Sequence, residues 1–264
     1  MLDNLRRLFR YRALIQSLVA RDLKARYRGS TLGFVWSFVN PLLLLLIYTF
    51  VFTVVIERPP GDRLRPFALF MFCGILPWTW FQSTLLESSN VLIAGGNLIR
   101  KVLFPAEVLP VVSVLAGMVH FFLGLPILAA FFIYYGRPLL PVYLWWLPVI
   151  VVVQLALTLG LALLVSSLTV HFRDRRDLLA NLLTFWFFAT PIIYTLDDAP
   201  EIVRPYLNLN PFTHLAMAYQ EVLFLEGPFT QWRRLLALGA ASVAVLAFGY
   251  FVFDRLRDTL AEEV

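Results

Sequence analysis

Residues 142–168 read VYLWWLPVIVVVQLALTLGLALLVSSL, a run without one charged side chain. As an α-helix rising 1.5 Å per residue, it outreaches the roughly 30 Å hydrocarbon core of a bilayer. Its apolar residues do not alternate with polar ones, as the strands of about 10 residues in a membrane barrel require. The run therefore reads as a helix that crosses lipid.

The same reading recurs on either side. Six spans are expected, at Leu32–Ile56, Phe67–Ser88, Val108–Tyr134, Val142–Leu168, Leu178–Thr195 and Leu235–Phe253, which makes the chain an all-α membrane protein. Composition agrees: the 264 residues are 60% hydrophobic and 15% charged. Soluble domains carry about 25% charge because they must present a polar surface to water. No cleavable signal peptide is expected, since residues 1–28 are basic throughout and lack an apolar core segment. With six spans both termini share a side. Of the 22 Arg and Lys residues, 15 fall on that side, among them Arg100, Lys101, Arg173, Arg175 and Arg176, and 7 on the other. The positive-inside rule then puts both termini in the cytoplasm. Cys73 is the single cysteine, so no internal disulfide forms.

Two units are expected: residues 1–31 and a six-helix domain over residues 32–264. In the first, Leu5, Leu8, Phe9, Ile15, Val19, Leu23 and Tyr27 fall on one helical face. Arg6, Arg7, Arg10, Arg21, Lys24 and Arg28 fall on the opposite face, while Arg12 and Arg26 break the pattern. Such a helix lies in the membrane interface, its basic side toward anionic headgroups. Arg28-Gly29-Ser30 supplies a turn, with Ser30 expected as N-cap for the first span. Pro41 withholds a hydrogen bond from the Ser37 carbonyl and predicts a kink. Gly95-Gly96 end the second span, and Asn97 is placed to cap a short basic helix, Leu98 to Phe104, that Pro105 stops. The segment at about 197–234 is far longer than a usual loop of about 4–6 residues. Within it Asn210-Pro211 reads as a helix start, and Thr213–Leu225 as a helix too polar to span.

Several kinds of chemistry are missing. A phosphate-binding P-loop needs a lysine directly after a glycine. The two lysines, Lys24 and Lys101, follow Leu23 and Arg100, so ATP hydrolysis by that route is excluded. Ion-coupled transport usually buries acids in its helices, whereas the spans hold only Glu87, near one end of the second. His120 reads as a neutral contact between helices. The three histidines, His120, His171 and His214, sit on different segments, so neither a metal nor a cofactor is expected on this chain. His171, Asp174 and Asp177 form the richest polar cluster, which reads as a cytoplasmic anchor; Ser83, Ser88, Ser89, Ser166 and Ser167 read as helix-contact residues.

Aromatic residues make up 16% of the chain. Trp78, Trp80, Trp145 and Trp146 fit interfacial belts. Others run through the first and fifth spans. They serve either for packing and lipid contact or as rings on which a sugar chain stacks its C–H faces.

Four passages together resemble the transmembrane half of a bacterial polysaccharide-exporting ATP-binding-cassette transporter, the type-2 class that includes O-antigen and teichoic-acid permeases. They are Arg21-Asp22-Leu23-Lys24-Ala25-Arg26-Tyr27 with Leu32-Gly33 and Trp36; Gly74-Ile75-Leu76-Pro77-Trp78; Phe104-Pro105 with Leu109-Pro110; and Phe172-Arg173-Asp174 followed by Thr190-Pro191-Ile192-Ile193-Tyr194 and Asn210-Pro211. The resemblance implies a transport subunit that is not itself an enzyme. It would act as a homodimer with two copies of a nucleotide-binding ATPase subunit that hold the ATP and Mg, and it would export a lipid-linked polysaccharide. It further implies an interface helix bearing Arg21, Asp22, Lys24, Arg26 and Arg28, and a coupling helix at about 97–104 with Asn97, Leu98, Ile99, Arg100, Lys101 and Phe104. A channel lined from Trp36, Tyr48, Phe52, Phe185, Trp186, Phe188 and Tyr194 is implied, with re-entrant outer gate helices around Asn210, Pro211, His214 and Tyr219. Two rivals remain: a membrane-embedded transferase acting on lipid-linked sugars, and a drug or lipid exporter of the same class.

Overall fold

A bilayer interior offers backbone groups no water, so each segment that enters it must satisfy its own N–H and C=O groups. In the computed structural model, which describes residues 11–26, 29–55, 64–95, 105–137, 145–169, 175–225 and 228–263, the answer is helical throughout, and no strand occurs among the described residues. Helix α1 is Arg12–Arg26, α2 is Trp36–Phe50, α3 is Phe67–Ala94, α4 is Val108–Tyr134 and α5 is Trp146–Leu168. Then come α6, Arg175–Phe188; the short α7, Arg204–Leu209; α8, Pro211–Leu223; and α9, Trp232–Glu263.

Among the described residues, five stretches are long and apolar enough to cross a membrane: Gly33–Phe50, Phe67–Ala94, Val108–Tyr134, Trp146–Leu168 and Trp232–Leu256. The expected fifth span, Leu178–Thr195, differs. Helix α6 stops at Phe188 and has 14 residues, which is roughly 21 Å of rise. Pro191 is the cause: it has no N–H to give and disfavours helical geometry at Thr190. Turns then carry the chain to a one-turn helix at Leu196–Asp198, closed by the Thr195–Asp198 capping box.

Helix α3 is the axle of the bundle, buried over most of its circumference. Trp80 Nε1 donates to the Val114 carbonyl of α4 at 3.0 Å, and Gln154 Nε2 of α5 donates to the Pro77 carbonyl at 2.9 Å. Both bonds cross between helices, where a polar group without a partner would be costly. Cys73 is fully buried among the same side chains. Trp78 and Trp80, expected in an interfacial belt, are core residues. Trp78 lies edge-on to Phe212 at 4.8 Å and donates its N–H to Gln82 Oε1 at 3.0 Å. Trp145 is exposed, and Trp146 packs on Phe229.

Helices α5 and α9 make the closest approach. A Cβ built on Gly249 would stand 2.2 Å from the Gly160 carbonyl oxygen, and one on Gly160 would stand 2.7 Å from the Leu246 backbone nitrogen. Small residues let two backbones meet in this way where hydrophobic driving force between helices is absent.

Helix α1 does present an apolar face, but protein covers part of it. Ile15 and Leu18 pack into a second core with Leu92, Val108, Leu109 and Phe253. Ser30 does not cap the first span: Val35 is the N-cap of α2 and makes no side-chain bond, while Ser30 Oγ accepts from Trp36 Nε1 at 2.8 Å. Gly29 and Gly33, at φ 84° and 50°, make the turn between α1 and α2, a conformation open to glycine at little cost.

Candidate functional site

At one end of the bundle, the chain between α6 and α9 folds back against the spans. Its anchor is Asn210, the N-cap of α8. The Asn210 Oδ1 accepts from the Phe212 amide at 3.0 Å and from Trp186 Nε1 at 2.7 Å. Its Nδ2 donates to the Ala189 carbonyl at 2.9 Å and to Thr190 Oγ1 at 2.8 Å. One amide therefore spends its donors and acceptor on both sides of the break that Pro191 creates, tying the end of α6 to the start of α8. Pro211 fills the first helical position, where its missing N–H costs nothing.

Around this knot sits an aromatic cluster. Trp186 meets Phe81 at 5.3 Å and Trp78 at 6.3 Å, and Phe212 meets Phe81 at 4.9 Å. His214 Nε2 donates to the Asn208 carbonyl at 2.8 Å. Burial lowers the imidazole's pKa from its ordinary value, which favours the neutral ring. Tyr219 is fully buried, its ring 5.6 Å from Phe121 and its hydroxyl without a partner among the described residues. The Tyr219 ring thus belongs to the packing behind the fold-back. Glu221 reaches the other way: its carboxylate accepts from Thr230 N at 2.8 Å and Thr230 Oγ1 at 2.7 Å, just before α9 begins. Anions are favoured there by the helix dipole.

The aromatic residues of α2 and α6 separate into two groups. Phe185 is 72% exposed and Phe188 58%. With Leu178 and Leu182 they form an uncovered apolar face of α6. Trp186, one residue from Phe185 but about 100° around the helix, is instead held by Asn210. Tyr194 donates its hydroxyl to the Phe188 carbonyl at 3.0 Å. On α2 only Ser37 and Leu45 are buried, and Trp36 and Tyr48 are half-buried. The Phe52 side chain lies outside the described residues, as do Arg28 and the whole coupling-helix segment, Asn97, Leu98, Ile99, Arg100, Lys101 and Phe104.

At the opposite end, Arg26 joins α1 to the spans. Its Nε donates to Asp22 Oδ2 at 2.9 Å, and its terminal nitrogen pairs with Glu87 of α3. Burial alone would lower the Arg26 pKa, but the carboxylates of Glu87 and Asp22 outweigh it and raise it. Arg21 and Lys24 are exposed on the other face of α1. The sequence missed this pair, although Arg26 stood out as a cation on the wrong side of an amphipathic pattern. A double-mutant cycle with Arg26→Met and Glu87→Leu should return a coupling of about 1–2 kcal/mol in thermal or denaturant unfolding. A coupling of zero would show that the partly exposed pair does no more than an ordinary surface bridge.

A family model described as the ABC-2 type transporter matches residues 13–224. The chain is 40% identical to the O-antigen export system permease protein RfbA of Myxococcus xanthus, over 100% of both chains. It is 32% identical to the permease of that name from Klebsiella pneumoniae, over 94% of each, and 24% identical to the polysialic acid transport protein KpsM of Escherichia coli, over 93% of this chain and 94% of that one. With several apolar helices able to cross a bilayer and a family match over most of its length, the chain is a multi-pass membrane protein that belongs to the ABC-2 type transporter family.

Proposed function

We propose that this chain is the channel-forming permease subunit of an ATP-driven exporter that moves a lipid-linked, O-antigen-like polysaccharide outward across the bacterial cytoplasmic (inner) membrane. The observation that carries this reading is the full-length likeness to O-antigen export permeases. Two copies form the channel, each joined to a separate ATPase chain that binds ATP and Mg. The uncovered apolar faces of α2 and α6 support this arrangement, since a second copy placed against them buries Phe185 and Phe188 or sets them around a shared lumen. In the membrane α6 and the turns after it make a sixth crossing, with residues 197–234 as the outer gate. Both termini then face the cytoplasm, as the 15-to-7 split of basic residues favours.

Deleting the gene for this chain in its host should abolish surface polysaccharide and leave lipid-linked chains inside, with a plasmid copy restoring export. Unchanged surface polysaccharide in the deletion strain would sink the proposal. The docking role of residues 97–104 has its own test. Replacing Arg100 and Lys101 together by Glu should cut the ATP hydrolysis of the copurified permease–ATPase complex about tenfold, as loss of charge-assisted contacts does. Undiminished hydrolysis places the docking surface elsewhere.

A further inference from the structure

Two cavities lie end to end along α3, and both are lined by Ser83. The first, about 370 Å³, lies between α2, α3 and α4 with Arg26 of α1 on its wall, a volume within the range of small-molecule sites. Its walls change character along its length. Near Ser83 it is lined by Arg26, Trp36, Ser37 and Asn40; farther on by Leu44, Phe72 and Leu76. The Ser37 hydroxyl is an orphan there: the residue is 2% exposed, and its oxygen has no partner among the described residues. A buried hydroxyl left unpaired on a cavity wall costs free energy unless something in the cavity bonds it.

The second cavity, about 400 Å³, continues from Ser83 toward the end of α3 and is lined by Asp22, Glu87, Asn90, Ser113 and Arg176. The Arg26–Glu87 pair stands where the two meet. The second cavity is lined by two carboxylates, Asp22 and Glu87, and one cation, Arg176, while Arg26 at the junction bridges both carboxylates, so a negative end and a positive end, Arg176, face the same space. A purely anionic headgroup would meet the two acids, and a purely cationic one the two arginines. A headgroup with one charge of each sign satisfies both.

We propose that this crevice is a binding site for a zwitterionic membrane phospholipid of the phosphatidylethanolamine type. The phosphate sits between Arg26 and Arg176, and the primary ammonium faces Asp22 and Glu87. One acyl chain passes Ser83 and runs between α2 and α3 against Leu44, Phe72 and Leu76. The ester or glycerol oxygens are then the partner that the Ser37 hydroxyl lacks. A lipid so placed fills the space behind α2, a helix that the rest of the chain otherwise barely covers. The proposal needs only a membrane setting and does not depend on which polymer is carried.

Native mass spectrometry of the full permease–ATPase complex, stripped of lipid and then offered palmitoyl-oleoyl phosphatidylethanolamine, phosphatidylglycerol or a polyprenyl phosphate, tests it. The expected result is one retained phosphatidylethanolamine per permease chain, held about tenfold better than phosphatidylglycerol, the effect of one charge-assisted contact. Asp22→Asn should erase that preference. Thr79→Trp, which puts an indole into the first cavity from an exposed position, should abolish retention while the complex still assembles. Equal retention of the two phospholipids, preference for the polyprenyl phosphate, or full retention in Thr79→Trp would each overturn the assignment.

Discussion

Gly249→Val lowers the melting temperature of the detergent-purified protein by roughly 6–12 °C, and Gly160→Val does the same. The reason is the α5–α9 crossing. Overpacking ordinarily costs about 1–3 kcal/mol because neighbouring side chains shift to make room. Here the atoms in the way are backbone: the Gly160 carbonyl in one case and the Leu246 amide in the other. Neither can rotate aside, so the two helices must separate along their length. A cost of about 3 kcal/mol, at 2–4 °C per kcal/mol, gives the stated range. Gly239→Ala is the control, because its Cβ would lie 3.4 Å from a Val153 methyl group and meet no backbone. It should shift melting by less than about 2 °C. An unchanged or raised melting temperature in Gly249→Val and Gly160→Val would show that helix propensity, which favours valine over glycine, outweighs the backbone contact and would overturn this reading.

Asn210→Ala is the second severe change. It strips the N-cap from α8 and leaves the Trp186 indole N–H, the Phe212 amide and the Ala189 carbonyl without their partner. Loss of a cap alone costs about 1 kcal/mol, and each buried group left unpaired adds about 1–3 kcal/mol before relaxation. A net loss of about 3 kcal/mol is expected in thermal unfolding. Asn210→Ser separates the contributions. Serine caps a helix well but is too short to hold Trp186 and Ala189 together, so its loss should fall between those of wild type and alanine. A serine variant as damaged as alanine would mean that the cap matters little and the cross-tie accounts for the effect.

Hydropathy made most of the spans legible. Val108–Tyr134 has the expected bounds, and α3, α5 and α9 differ from expectation at their ends. The helix expected over Leu178–Thr195 ends early because apolar character continues past Phe188 while helical geometry does not. Pro191 was visible, but its effect on the backbone competes with hydrophobicity and here prevails. Trp78 and Trp80 were misplaced for a related reason. An indole reads as interfacial because its N–H needs a partner, and here Gln82 and the Val114 carbonyl supply that partner inside the protein. The aromatic text of α6 could not separate Phe185 from Trp186. Adjacent residues share a hydropathy but point in different directions, and only the packing of α8 tells which one is held. The Arg26–Glu87 contact spans 61 positions of chain, beyond the reach of any local pattern.

Cys73 carries a practical consequence. It is the only thiol in the chain and is sealed inside α3, where maleimides and oxidants, which need an accessible thiolate, do not reach it. Any cysteine introduced on the uncovered faces of α2 or α6 will therefore be the sole reactive handle in the otherwise natural sequence. Spin labels, fluorophores or bifunctional reagents can then be attached one position at a time without first building a cysteine-free background.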